Sequence, residues 1–263
     1  KQRIAEYRQV EPSNVFLGVG SDEAIDILIR AFCRPGIDNI LITPPTYRMY
    51  QARAEVNDVA VKAAALNTEF DVDVQTLLAM TDENTKLLFL CSPGNPTAKT
   101  IPTAVVTEIA ASVNAIVVVD EAYIDFRYNV PLLPSDPFDK SAFPFSSAQS
   151  SCCSLIHTHP NLVVLHTFSK AFGLAAIRLG IALAHPDIIK FMQDVRIAYN
   201  VNKLTASIAL QAFDDDLRLF KQNRSRLLEE RERLSQSLRT LPWIEKVFDT
   251  DTNFILFKVA VNF

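Results

Sequence analysis

Short, mostly apolar runs recur along the chain, and between them apolar residues fall three or four positions apart. Val15 to Leu17, Asn39 to Thr43, Val59 to Leu66, Lys86 to Cys91, Ala115 to Val119, Leu162 to Leu165 and Gly180 to Ala184 are too short for amphipathic helices and are predicted as strands. Helical spacing marks Lys1 to Val10, with Ile4, Ala5 and Tyr7 as its apolar side, and then Ala24 to Ile29. It returns at Asp73 to Met80, Ile101 to Val113 and Pro186 to Arg196, and a further helix begins at Met49-Tyr50. Strand and helix alternating over Val15 to Leu183 predict an α/β fold, with a mostly parallel sheet covered by helices on both faces.

Two regions depart from that rhythm. Between Arg127 and Pro160, Pro131, Pro134, Pro137, Pro144 and a Ser-rich stretch leave no periodicity. This segment, about 127–160, is predicted as a surface excursion with Cys152 and Cys153 at its edge, away from the chemistry. Leu204 to Leu241 is predicted helical almost throughout, with Leu227, Leu228, Leu234 and Leu238 on one face. Its charge-rich portion, Arg224 to Arg233, is expected to be a solvated face with spaced ion pairs. Pro242 ends it, and Trp243 to Phe248 and Asn253 to Val259 are predicted as two short strands. The expected organisation is a large domain over 1–205, followed by a linking helix and an incomplete small α+β domain over 206–263.

Composition narrows the function classes. A chain of 263 residues has room for one large domain and part of another. A formal net charge of -4 gives no reason to expect nucleic acid or a membrane surface as partner. No apolar run reaches the length of a membrane span, and the opening residues are helix-like rather than a signal peptide. Cys33, Cys91, Cys152 and Cys153 lack metal-ligand spacing, and two are adjacent, so reduced thiols in an intracellular, cytoplasmic setting are expected, with no metal.

The candidate chemistry gathers at strand ends. His166 to Gly180 places Lys170 behind an apolar strand, framed by Thr167, Ser169 and Arg178. That setting suits an anionic phosphate beside a reactive amine, or simply a solvated lysine in a turn. Gly18 to Glu23 leads glycines into a Ser21-Asp22 helix start, which is either an anion site of free N–H groups or an ordinary cap. Tyr47 could offer its face to a flat ring or pack as a half-buried tyrosine. Asn95 lies in a loop stiffened by Pro93 and Pro96 at the end of a strand, where open α/β sheets bind ligands. Asp120 ends an apolar strand and needs a partner: a cationic ligand nitrogen, an arginine or a metal, the last without His or Cys nearby in sequence to support it. Tyr123 follows one turn later. As an ordered set these residues match the needs of pyridoxal phosphate: an amine for its aldehyde, a carboxylate for its ring nitrogen, donors for its ring oxygen and a cradle for its phosphate.

The motifs Gly18-Val-Gly-Ser-Asp-Glu23, Pro45-Thr-Tyr-Arg-Met-Tyr50, Ser92-Pro-Gly-Asn-Pro-Thr97, Asp120-Glu-Ala-Tyr123 and Thr167-Phe-Ser-Lys-Ala-Phe-Gly173 carry a family resemblance. Through them the chain resembles the fold-type I aminotransferases and, more narrowly, the histidinol-phosphate aminotransferase family. The resemblance spans nearly everything but the Arg127 to Pro160 segment. It implies a pyridoxal-phosphate transferase fold with a large cofactor domain and a small domain. It also implies Lys170 as the Schiff-base lysine, Asp120 as the ring-nitrogen partner, and Tyr123 and Asn95 as ring-oxygen partners. Tyr47 would stack on the ring, and Ser21, Asp22, Thr167, Ser169 and Arg178 would lie about the phosphate. The implied reaction is amino transfer between L-histidinol phosphate and 2-oxoglutarate in histidine biosynthesis, by a homodimer. Aromatic amino-acid transamination, threonine-phosphate decarboxylation on the same fold, and a non-catalytic fragment are the alternatives. The family's N-terminal closing segment and a C-terminal substrate-gripping arginine have no counterpart here, since no arginine follows Arg239. Weak turnover is therefore expected.

Overall fold

A computed structural model describes residues 1–127, 151–214 and 217–260. Its first helix, α1 (Gln2–Arg8), buries Ile4, Ala5 and Tyr7, the side the spacing predicts. Then follow β1 (Val15–Val19), α2 (Ser21–Phe32), β2 (Asn39–Ile42), α3 (Met49–Val56), β3 (Ala60–Ala63) and α4 (Val74–Met80). The series continues with β4 (Thr85–Cys91), α5 (Thr103–Ser112), β5 (Ile116–Asp120), β6 (Leu162–Thr167), β7 (Leu179–Ala184) and α6 (Pro186–Val195). Each predicted strand and helix of this part is present, with ends shifted by a few residues.

These strands form one seven-stranded sheet in the order β1-β7-β6-β5-β4-β2-β3. Pairs β2/β3, β2/β4, β4/β5 and β5/β6 are parallel, whereas β7 runs against both β6 and β1. The central strands are apolar on both sides because both faces are covered. Leu88, Leu90, Val117, Val119, Leu162 and Val164 pack with α1, α4 and α5 residues such as Ile4, Leu77 and Ile109. The alternate residues Leu87, Phe89, Val118, Val163 and Leu165 pack with Ile25 of α2, Tyr50 of α3 and Ile189 of α6. Strand periodicity of two thus sorts one apolar run into two cores.

Helix α2 starts differently from the prediction. Gly20, at φ 76°, is its N-cap, Ser21 is its first helical residue, and no side chain closes the cap. Its first N–H groups therefore stay available.

Of the predicted excursion, residues 128–150 lie outside the described residues. Its flanks are partly built into the core: Arg127, Cys152, Cys153 and Ile156 are buried and Cys152–His157 forms a 3-10 helix against the sheet, while Ser154, His157, Thr158 and Pro160 are exposed. Ser151 caps that turn by accepting from the Cys153 N–H, which a composition-based reading cannot see.

The long helical stretch is described as α7 (Lys203–Asp214) and α8 (Leu217–Arg239), and residues 215 and 216 between them lie outside the described residues. The predicted leucine face is corrected. Leu227 and Leu234 are exposed, and the buried stripe is Phe220, Arg224, Leu228, Arg231 and Ser235. Arg224 donates to the carbonyls of Asp125 and Arg127, and Arg231 to those of Phe126 and Thr252. These two arginines are anchors, not part of a solvated face, because a 3-10 turn at Ile124–Phe126 directs its carbonyls at α8. The same helix contributes Phe220 and Leu228 to a cluster with Tyr123, Phe126 and Ala171, so α8 braces the turn that carries Lys170. Beyond it β8 (Ile244–Val247) and β9 (Phe257–Val259) pair antiparallel. No helix among the described residues is long and apolar enough to cross a membrane.

Candidate active site

The parallel strands deliver Cys91, Asp120 and Thr167 to one edge of the sheet, as their pairing register requires. The N-terminus of α2 and the start of α3 rise beside them. A cavity of about 210 Å³ lies between these parts, several times the roughly 30 Å³ share of one water. Its walls include every predicted site residue: Ser21, Asp22, Tyr47, Asn95, Asp120, Tyr123, Thr167, Ser169, Lys170 and Arg178. Cys91 and Ala122 complete them.

Asp120 is the most buried charged group of the cavity wall, 3% exposed. Its Oδ2 accepts from the Tyr50 hydroxyl at 2.8 Å and its Oδ1 from the Ala122 N–H at 3.1 Å. Burial pushes the carboxyl above its usual range, and those two donors pull against it. Among the described residues no lysine or arginine forms an ion pair with Asp120. A cation entering the cavity would supply what burial has removed.

Opposite, Lys170 is exposed at the cavity wall, its Nζ 5.2 Å from the centroid of the Tyr123 ring. Asn95 Nδ2 donates to the Tyr123 hydroxyl at 3.5 Å, so the two predicted ring-oxygen partners already meet. Phe254 holds the Tyr123 ring edge-on at 5.2 Å. Tyr47 is tied by its hydroxyl, which donates to Asp22 Oδ1 at 3.1 Å.

At the polar end Arg178 donates to Ser169 Oγ at 3.3 Å and lies 3.9 Å from Asp22 Oδ2. The α2 N-terminus packs tightly here. A Cβ on Gly20 would lie 2.5 Å from the Arg178 guanidinium, and one on Gly180 would lie 2.1 Å from the Gly20 carbonyl carbon. Arg178 itself sits at φ 51°, a left-handed conformation that a non-glycine residue keeps only when its surroundings impose it. Backbone N–H groups of a helix start, a hydroxyl and a guanidinium converging on one pocket end make an anion cradle.

One wall residue, Cys91, and one residue buried behind the wall, Tyr50, escaped the sequence reading. Cys91 accepts from the Asn95 N–H at 3.4 Å, and burial, with Asp120 beside it, pushes its thiol up to about 12. Tyr50 is fully buried, stacked on Phe89 at 4.7 Å. Its only advance signal is its place one helical turn after Tyr47.

Behind Asp120 a second polar group forms from residues far apart in sequence. Glu121, Cys153 and His166 bring one potential ligand atom each within 4.8 Å of one another. Spacing alone did not disclose this grouping. They hydrogen-bond among themselves, His166 Nε2 to Glu121 Oε2 at 2.9 Å, and Glu121 Oε1 also accepts from the Cys152 N–H at 2.7 Å.

The sequence matches the family described as aminotransferase class I and II over residues 1–260. It is 41% identical to the histidinol-phosphate aminotransferase of Parabacteroides distasonis, over 99% of this chain and 69% of that protein. Among solved structures it is similar to the histidinol-phosphate aminotransferase from Clostridium acetobutylicum, with a TM-score of 0.83 and 21% identity, over 99% of this chain and 72% of that one. The enzyme of the same name from Sinorhizobium meliloti, solved in complex with pyridoxal-5'-phosphate, gives a TM-score of 0.81 at 21% identity, over 97% of this chain and 64% of that one. At such identities the two structures establish the fold: a mostly parallel sheet wrapped in helices, shared almost throughout.

Proposed function

The chain belongs to the class I and II aminotransferases, and from that premise we propose that it moves an amino group between L-histidinol phosphate and 2-oxoglutarate, in histidine biosynthesis, with pyridoxal phosphate held at Lys170. One observation carries the cofactor reading. A buried carboxylate without an ion-pair partner among the described residues, an amine and an anion cradle all open onto the same cavity. The residues fit the group, since its ring nitrogen, aldehyde and phosphate each have a complementary wall. The substrate reading rests on the relative from Parabacteroides distasonis, 41% identical.

Pyridoxal phosphate, when bound, supplies an aldehyde that captures amines and a ring that takes up the electron pair of an ionised C–H bond. Lys170 Nζ is the tether and, once free, the base that takes the substrate's α-proton and returns it. Asp120 keeps the ring nitrogen protonated by setting a buried negative charge against it. Asn95 and Tyr123 would hold the ring oxygen, and Tyr47 would stack on the ring. Ser21 and Asp22, through their N–H groups, hold the phosphate with Thr167, Ser169 and Arg178. Because that cradle is anchored by backbone and by packed glycines, it spends little on reorganisation when the anion arrives.

The active species is a homodimer in this reading. Ile197, Tyr199, Leu204 and Ile208 are exposed apolar residues that a second copy would cover, and Asn200 between them is fastened to the edge strand β1 through the Leu17 carbonyl. Four free cysteines suit a reducing, cytoplasmic setting.

The test is borohydride reduction with pyridoxal phosphate followed by peptide mapping, together with turnover of three candidate amino donors. The adduct is expected on Lys170 and absent from Lys170→Ala. An adduct elsewhere, or none on the folded chain, overturns the cofactor site. Histidinol phosphate is expected to turn over at least about tenfold faster than phenylalanine or threonine phosphate, a gap that one differential hydrogen-bonded group can supply. No preference overturns the substrate.

A further inference from the structure

Asp120 has two hydrogen-bond donors among the described residues, and only one is a side chain. The Ala122 N–H serves Oδ1, and the Tyr50 hydroxyl serves Oδ2 at 2.8 Å. A carboxylate only accepts, so the single phenolic proton of Tyr50 points at Asp120 whenever Asp120 is charged. The bond is sealed from water, since Tyr50 is 0% and Asp120 3% exposed. Tyr50 has little freedom to turn away. Its ring stacks on Phe89 at 4.7 Å with 14° between planes, and the Tyr47 ring meets it edge-on at 5.6 Å. The Cys91 thiol, on the strand next to Asp120, lies beside the same phenol. A donor fixed this way favours the charged carboxylate and fixes its aim.

We propose that Tyr50 is a positioning residue that keeps Asp120 ionised and aimed into the cavity, and thereby sets the lowest pH at which the chain holds pyridoxal phosphate. This rests on the cofactor reading above. Other titratable groups face Asp120 too. Asp22 on α2 disfavours its charge and His166 on β6 favours it. Tyr47, just before α3, is held protonated by burial, by Asp22 and by Asp120, and Cys91 on β4 by burial and by Asp120. Lys170 shares the cavity wall. All of them persist when Tyr50 is changed, so they cancel from a comparison of wild type with Tyr50→Phe, which keeps the ring stack and removes only the hydroxyl.

The experiment is a titration of pyridoxal phosphate affinity by absorbance from pH 5 to 8.5, on wild type, Tyr50→Phe, Asp120→Asn and the double variant. Loss of one buried hydrogen bond to a charge should weaken affinity about tenfold in Tyr50→Phe. Its acid limb should move up by about one pH unit. In the Asp120→Asn background the second change should add nothing. Site-specific 3-fluorotyrosine at position 50, a stronger donor, should move the limb down and guards against a folding defect in the phenylalanine variant. An unmoved limb overturns the inference, as does a Tyr50→Phe loss that persists undiminished beside Asp120→Asn, which would mark Tyr50 as packing alone. No cofactor uptake by wild type removes the cofactor reading itself and this inference with it, whereas normal uptake with an unmoved limb removes only the role of Tyr50.

Discussion

His166 shows what one residue behind a site can do. It precedes Thr167 on β6 and shares its side of the sheet with Leu162 and Val164, away from the cavity. Burial and the Arg8 charge oppose its protonation, yet the Cys153 sulfur and Glu121 carboxylate beside it prevail and raise its pKa to about 9. Nδ1 has no hydrogen-bond partner among the described residues, so the proton it gains on charging is unpaired and opposes protonation alongside burial. The folded value lies above the unfolded one. Stability from the His166–Glu121 pair is therefore complete below about pH 6.5 and drains away as pH rises through about 9. The loss is on the order of 3 kcal/mol. Thermal midpoints followed across that window should fall in wild type and stay level in His166→Gln. A flat wild-type profile would dissolve the pair as a stabilising unit.

At the scale of elements, α8 is where charge misleads. Arg231 spends its donors on the carbonyls of Phe126 and Thr252, clamping the β8 approach to the turn below Tyr123. Arg231→Met keeps the stem but leaves both carbonyls without that donor and should cost about 3 kcal/mol in urea unfolding. Arg233→Met removes only an exposed pair with Glu230 and should cost below about 0.5 kcal/mol. Equal costs would return Arg231 to the solvated face. Both arginines look alike in the sequence, because a charge repeat along a helix says nothing about which carbonyls await it. Tyr50 was illegible for a related reason: its hydroxyl partner lies 70 residues away in the chain. Cys152 and Cys153 were likewise hidden, since Glu121, His166 and the Ser151 cap draw them into the core from a stretch without periodicity. What was legible followed local rules. Strands β4, β5 and β6 announce themselves by unbroken apolar runs, and the cavity residues by polar groups where those runs stop. Asp120 and Lys170 stood out because a charge at the end of a buried strand demands a reason.

The whole molecule draws its cavity from residues 21 to 178, and the segment carrying exposed Ile197 and Tyr199 is fastened to β1 and α2 through Asn200, whose side chain donates to the Leu17 carbonyl and to Glu23. If that segment joins two copies, Leu204→Asp should shift light-scattering mass from twice the chain toward a single chain at micromolar concentration. A wild type that is monomeric throughout would leave the segment without that use. The antiparallel seam of β1 and β7 has another consequence. It joins Val15 to Leu183 and Val19 to Leu179, and it is what presses Gly20 against Gly180 and Arg178. No other pairing in the sheet closes so long a loop of chain, so it has the highest entropic hurdle to its formation. The anion cradle does not exist until that seam shuts. Cofactor can then act only as a late lock: it slows escape from the native state and leaves the rate of reaching it unchanged.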